Sequence, residues 1–182
     1  FVLNGFLLKE FDGFLKINSG TADLMIEHSI APKLGKSELK GKIYDVFGRD
    51  PQINIEFLGK SSPKKILADL RSVIPDPLFV KAVSRFENVY GIGTLKGNLK
   101  GPLKFNNESA LTFEYKVYKA GFKDKKTGLK FRNIDGLVEV KHDKHFNKSK
   151  TSKTPWTIFY SSFKGEIGDD TFSNLRGNIL CG

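Results

Sequence analysis

The stretch from Leu111 to Lys141, LTFEYKVYKAGFKDKKTGLKFRNIDGLVEVK, leaves little choice of fold. Leu111, Phe113, Tyr115 and Val117 alternate with Thr112, Glu114, Lys116 and Tyr118, the period of two that a strand with one buried face requires. Gly121, the charged run Lys123 to Lys126 and Gly128 then have loop composition. A second extended segment starts at Leu129 to Phe131 and passes into Ile134 to Val140. The stretch predicts a strand pair or three-strand meander with one apolar face and one charged face.

Part of it recurs. Phe131 to Gly136, FRNIDG, reappears as FSNLRG at Phe172 to Gly177, and a looser version stands at Leu8 to Gly13. Leu39-Lys40-Gly41 and Leu95-Lys96-Gly97 keep only an apolar-x-Gly core. Gly97, Gly136 and Gly177 are spaced by roughly 40 residues, which fits a repeat array of antiparallel strands. Glycine punctuation alone belongs to any β protein; the shared Phe-x-Asn is what argues for a repeat.

Composition agrees with strands. The chain has 16 Phe against one Met and one Trp, with 39% hydrophobic and 27% charged residues, the balance of a folded protein. Its net charge of +10 is spread as lysine along strand-like segments rather than gathered into an arm. That spread suits the outer face of a plain sheet, or an anionic surface, and lysine at sheet edges discourages edge-to-edge association. With no basic helix, no nucleic-acid partner is expected. Cys181 is the only cysteine, so no internal disulfide can form. There is no apolar run of about 18 residues and no signal peptide. The chain opens without Met and closes mid-pattern on Asn178 to Gly182. The expectation is a single domain over 1–182 cut from a longer repeat-built protein, with strands over 1–60, a helical insertion over 61–89 and strands over 90–182.

Along the chain, strands are predicted at Val2 to Leu8, Gly13 to Asn18 and Ala22 to Ile30, the last two joined by the turn Asn18-Ser19-Gly20-Thr21. His28 shares a face with Leu24, Ile26 and Ile30 and reads as a packing residue rather than a catalytic base. Glu38 to Val46 and Gln52 to Leu58 form a hairpin. Ser62-Pro63 and Asp76-Pro77 each place a capping residue before a first-turn proline, and two short helices follow within about 62–88. Tyr90 to Gly101 carries Gly-x-Gly-x-x-x-Gly, the wrong spacing for a phosphate loop, and its glycines suit bending or close approach of another segment. Lys141 to Lys153 reads as a polar, mobile loop in which His142 and His145 are solvated. Trp156 to Lys164 and Thr171 to Leu180 complete the strands.

No nucleophile elbow and no acid–base carboxylate pair stands out, so neither enzymatic activity nor a catalytic residue, metal or cofactor is expected. What remains is apolar strand face with little to cover it. Either the sheet folds on itself into a closed sandwich, or it curls into a trough whose apolar face stays available.

YGIGTLKGNLKG at Tyr90 to Gly101, the alternation of Leu111 to Val117 and GLKFRNIDGLVEV at Gly128 to Val140 resemble the AsmA-like family of bacterial envelope proteins, the AsmA, TamB and YhdP type. Gly13 to Ile17, Leu24 to Ile30, Phe163 to Gly165 and Phe172 to Gly177 extend the likeness over most of the chain. The resemblance implies a mainly β fold, a curled antiparallel sheet forming an open hydrophobic groove, in a periplasmic protein anchored to the inner membrane by segments outside this stretch. It implies a non-enzymatic lipid-transport module, with phospholipid or another acyl-chain lipid as ligand and an envelope protein as a further partner. The rival expectation is a closed β-sandwich serving structure or protein interaction. Strand parity makes Leu24, Ile26, Ile53, Ile55, Phe57, Leu111, Phe113, Tyr115, Val117, Val138 and Val140 the lining of the groove, with Lys116 and Lys141 at its rim. The helices would then close one end or form a side lid.

Overall fold

The computed structural model describes residues 2–3, 6–7, 11–31, 35–74, 76–103, 109–142 and 156–181. Two short strands, β1 (Val2–Leu3) and β2 (Phe6–Leu7), pair with each other where one strand was expected from Val2 to Leu8. The rest is one nine-stranded antiparallel sheet in sequential order: β3 (Phe11–Asn18), β4 (Thr21–Ala31), β5 (Gly35–Tyr44), β6 (Gln52–Ser61), β7 (Phe86–Pro102), β8 (Ala110–Asp124), β9 (Lys130–His142), β10 (Trp156–Ile167) and β11 (Asp170–Cys181). The sheet is curled and open, because β3 and β11 do not pair with each other. The sandwich alternative fails here: the described strands form one main layer instead of two.

The helices α1 (Pro63–Val73) and α2 (Pro77–Val83) stand between β6 and β7. Ser62 Oγ accepts from the Lys65 N–H at 3.3 Å, and Asp76 Oδ1 accepts from the N–H groups of Leu78 and Phe79 at 2.7 and 2.9 Å. Each cap satisfies donors that the first helical turn leaves without partners. Helices of 11 and 7 residues are too short to persist alone. Their stability comes from Ile66, Leu70, Ile74, Phe79 and Val83, which are buried in one cluster with Phe113, Tyr115, Val117 and Val140 of the sheet. They therefore pack on the apolar face itself, in a cluster that reaches from Phe57 of β6 to Cys181 of β11.

A line of bulges crosses the second half of the sheet. Each of β7 to β11 carries one non-glycine residue in the left-handed region: Asn88 (φ 51°), Lys119 (46°), Asn133 (50°), Ser162 (55°) and Asn174 (57°). The ladder shifts register beside each one. An extra residue inverts the in–out alternation, and the sequence inverts with it. On β8, Phe113, Tyr115 and Val117 face inward before the bulge, and Ala120 and Phe122 after it. On β9 the inward set passes from Ile134, Val138 and Val140 to Phe131. Phe86, Phe122 and Phe131 stack across three strands on the inner side of this crease, with centroids 4.4 Å apart at each step.

The crease explains the repeated motif. FRNIDG and FSNLRG place Asn133 and Asn174 at the bulge, since asparagine is among the few side chains that tolerate positive φ. The structure adds a third copy, FENVYG at Phe86 to Gly91, with Asn88 in the same conformation. Three residues after the bulge the glycine makes room. At Gly136 a Cβ would collide with the Phe163 ring lying over it.

Candidate functional site

The register shows that the inner face is continuous. One cross-strand row runs Leu24, Gly41, Ile55, Leu99, Leu111, His142, Trp156 and Cys181, and the next runs Leu39, Phe57, Gly97, Phe113, Val140, Ile158 and Ile179. Tyr115 and Val138 follow in the third row, opposite each other, and Val117 stands opposite Gly136 in the fourth. Ile53 is in register with Ile43 of β5. Of the expected lining, only Ile26 has its side chain outside the described residues, as does His28; the Ile26 backbone pairs with Gly13 and Leu39. His145 and the loop from Asp143 to Lys153 also lie outside them.

These residues share a face and divide into three zones. Leu24, Ile53 and Ile55 are buried with Leu99 and packed by Leu39, Ile43 and Leu111. Phe113, Tyr115, Val117 and Val140 are buried beneath the helices, with Phe57 and Val138 partly buried against the same cluster. Apolar residues on the two edge strands are exposed. Leu15 and Ile17 on β3, in register with Leu24 and Ala22, are 54% and 45% exposed. Leu175 and Ile179 on β11, in register with Phe163 and Ile158, are 51% and 45% exposed.

Among the described residues, the buried Ser37 and Ser61 hydroxyls on this face have no hydrogen-bond partner, whereas other polar groups on it are held locally. The buried Tyr115 hydroxyl donates to the Ser61 carbonyl at 2.9 Å, and burial pushes its ionisation far up. His142 is not solvated: it ends β9, buried, with Nδ1 donating to the Ser109 carbonyl at 2.7 Å and its ring 4.6 Å from that of Trp156. Cys181 is buried, and its thiol is pushed up by desolvation and then by the charge of Asp76. A thiol held protonated is a poor nucleophile. Among the described residues no group of His, Cys, Asp and Glu is placed to hold a metal ion.

Lysine sits on the other face. Lys116 is the cross-strand neighbour of Leu137, away from the groove, with Nζ 5.4 Å above the Tyr118 ring. Lys141 pairs with Glu139 at 3.6 Å and lies 5.3 Å over the Phe159 ring. Neither stands at the rim of the groove. Lys40–Glu56, Lys42–Asp23 and Lys96–Glu114 are cross-strand pairs at 3.9, 3.5 and 3.2 Å. Much of the positive charge is thus spent solvating the outer face, where exposed pairs are worth little individually.

Parity reasoning missed several inner residues. Leu95 and Leu99 are legible in YGIGTLKGNLKG once the alternating glycines are read as inward-facing positions. Trp156, Ile158 and Ile179 follow from the same alternation on β10 and β11. Comparison of the chain with family models, curated proteins and solved structures finds no match.

Proposed function

We propose that the chain is a non-enzymatic lipid-binding module that holds acyl chains against the inner face of its curled sheet. The observation that carries this reading is the exposed apolar strip at each edge, Leu15 and Ile17 on one side and Leu175 and Ile179 on the other, in cross-strand register with the buried inner face. Each methylene removed from water there contributes about 0.8 kcal/mol. Such contacts are non-directional, so the face discriminates little between head groups and lets a chain slide. The helices then act as a plug on the β6 to β11 part of the face.

The setting proposed for this activity is the bacterial periplasm, with an inner-membrane anchor outside these residues and phospholipid moving toward the outer membrane. It is supported by the AsmA-like resemblance together with the open antiparallel sheet. Among the described residues no helix is long and apolar enough to cross a membrane.

The experiment is native mass spectrometry of protein exposed to phospholipid vesicles. Lipid-bound species are expected, and Leu15→Asp and Ile179→Asp, both on exposed strand positions, should lower the lipid load without lowering the unfolding midpoint. Failure of the folded wild-type protein to take up lipid ends the proposal.

A further inference from the structure

The crease has a second consequence on the face away from the helices. There the outer surface of β6 to β10 is hollowed into a trough of about 670 Å³, a volume inside the roughly 300–1,000 Å³ typical of small-molecule sites. Its floor holds Thr94, Lys116 and Leu137, direct cross-strand neighbours on β7, β8 and β9. Leu58 and Tyr118 add apolar surface. One flank is the Lys96–Glu114 pair at 3.2 Å and the other the Lys164–Asp135 pair at 3.7 Å. Asp135 is engaged twice, because its Oδ1 also accepts from the Lys119 backbone N–H at 2.8 Å. Among the described residues no carboxylate pairs with Lys116, whose ammonium stands over the Tyr118 ring instead. Three lysines thus line the trough against two carboxylates, and the surplus charge is centred on Lys116 beside Leu137 and Tyr118.

We infer that this outer trough binds an amphiphilic anion, its carboxylate or phosphate at Lys116 and its hydrocarbon over Leu137 and the Tyr118 ring. A small inorganic anion would forgo the apolar contact, and an uncharged chain would leave the lysine without an anionic partner. The two flanking pairs neutralise the other lysines, which leaves Lys116 as the position for the anionic head group. The inference is independent of lipid binding on the inner face, because Lys116 and Ile179 belong to opposite sides of the sheet.

Isothermal titration calorimetry with decyl phosphate, decanoate, decanol and inorganic phosphate, all below micelle-forming concentration, tests it. Both amphiphilic anions should bind, and decanol and inorganic phosphate at least tenfold more weakly. Lys116→Gln, at an exposed position, should weaken decyl phosphate about tenfold with an unchanged unfolding midpoint, while Ile179→Asp should leave its affinity intact. Inorganic phosphate binding as tightly as decyl phosphate overturns the inference. So does an affinity indifferent to Lys116→Gln but lost in Ile179→Asp, which would put the amphiphile on the inner face, and so does the absence of binding by either anion.

Discussion

Asn174 shows what the bulge asks of a side chain. It holds φ at 57° on an edge strand, and a β-branched residue there must take a backbone conformation that costs about 1–2 kcal/mol. Asn174→Val is therefore expected to destabilise the protein by about that amount in chemical denaturation, and Asn174→Gly to be nearly neutral. Gly97 poses a different demand. A Cβ at this position would meet the Thr112 carbonyl as well as the Phe57 ring, so Gly97→Ala forces backbone apart and should cost about 1–3 kcal/mol. Asp124 adds a pH dependence: the Arg85 guanidinium, then the Lys126 N–H, hold its carboxyl below the ordinary range. A depressed carboxyl contributes stability at neutral pH that disappears as acid protonates it, from about pH 4 downward. Asp124→Asn should lower the unfolding midpoint at pH 7 and flatten its decline toward pH 3, both read by circular dichroism.

The helices are the elements whose role changes most between sequence and structure. Their starts were legible to the residue, because Ser62-Pro63 and Asp76-Pro77 combine a cap with the only imino acid that suits a first turn. Their location was not, since nothing in an amphipathic stripe names the surface it will cover. Ile74, fully buried between the two helices, ties them to the sheet cluster. Ile74→Ala should cost about 2–5 kcal/mol by denaturant unfolding. Strand parity was legible wherever alternation ran uninterrupted, as over Leu111 to Val117, and failed across Asn133 and Asn174, where one surplus residue exchanges the faces. FENVYG is hard to recognise as a copy of the motif from sequence because its glycine, Gly91, lies inside the glycine-rich Tyr90 to Gly101 run. His142 looked solvated because lysines surround it in sequence, whereas the row Leu111, His142, Trp156 sets its environment.

At the scale of the whole molecule, one sheet of nine strands must keep an apolar face from water with two helices to help it. Phe113 is now a part of the core rather than a groove contact, so Phe113→Asp should unfold the protein, a result visible as loss of the cooperative transition. Under the proposed function the exposed edge strands would take up the lipid, which makes Leu15 and Ile179 the informative positions. The bulges set a further rule for this architecture. With one surplus residue in each of five adjoining strands, an Asn133 held in the regular pleat instead of the bulge would drive Phe131 out into water and turn Arg132 inward. Which side each half of these strands shows is thus written in the backbone angle of a single residue per strand, and a change there is felt along everything that follows it.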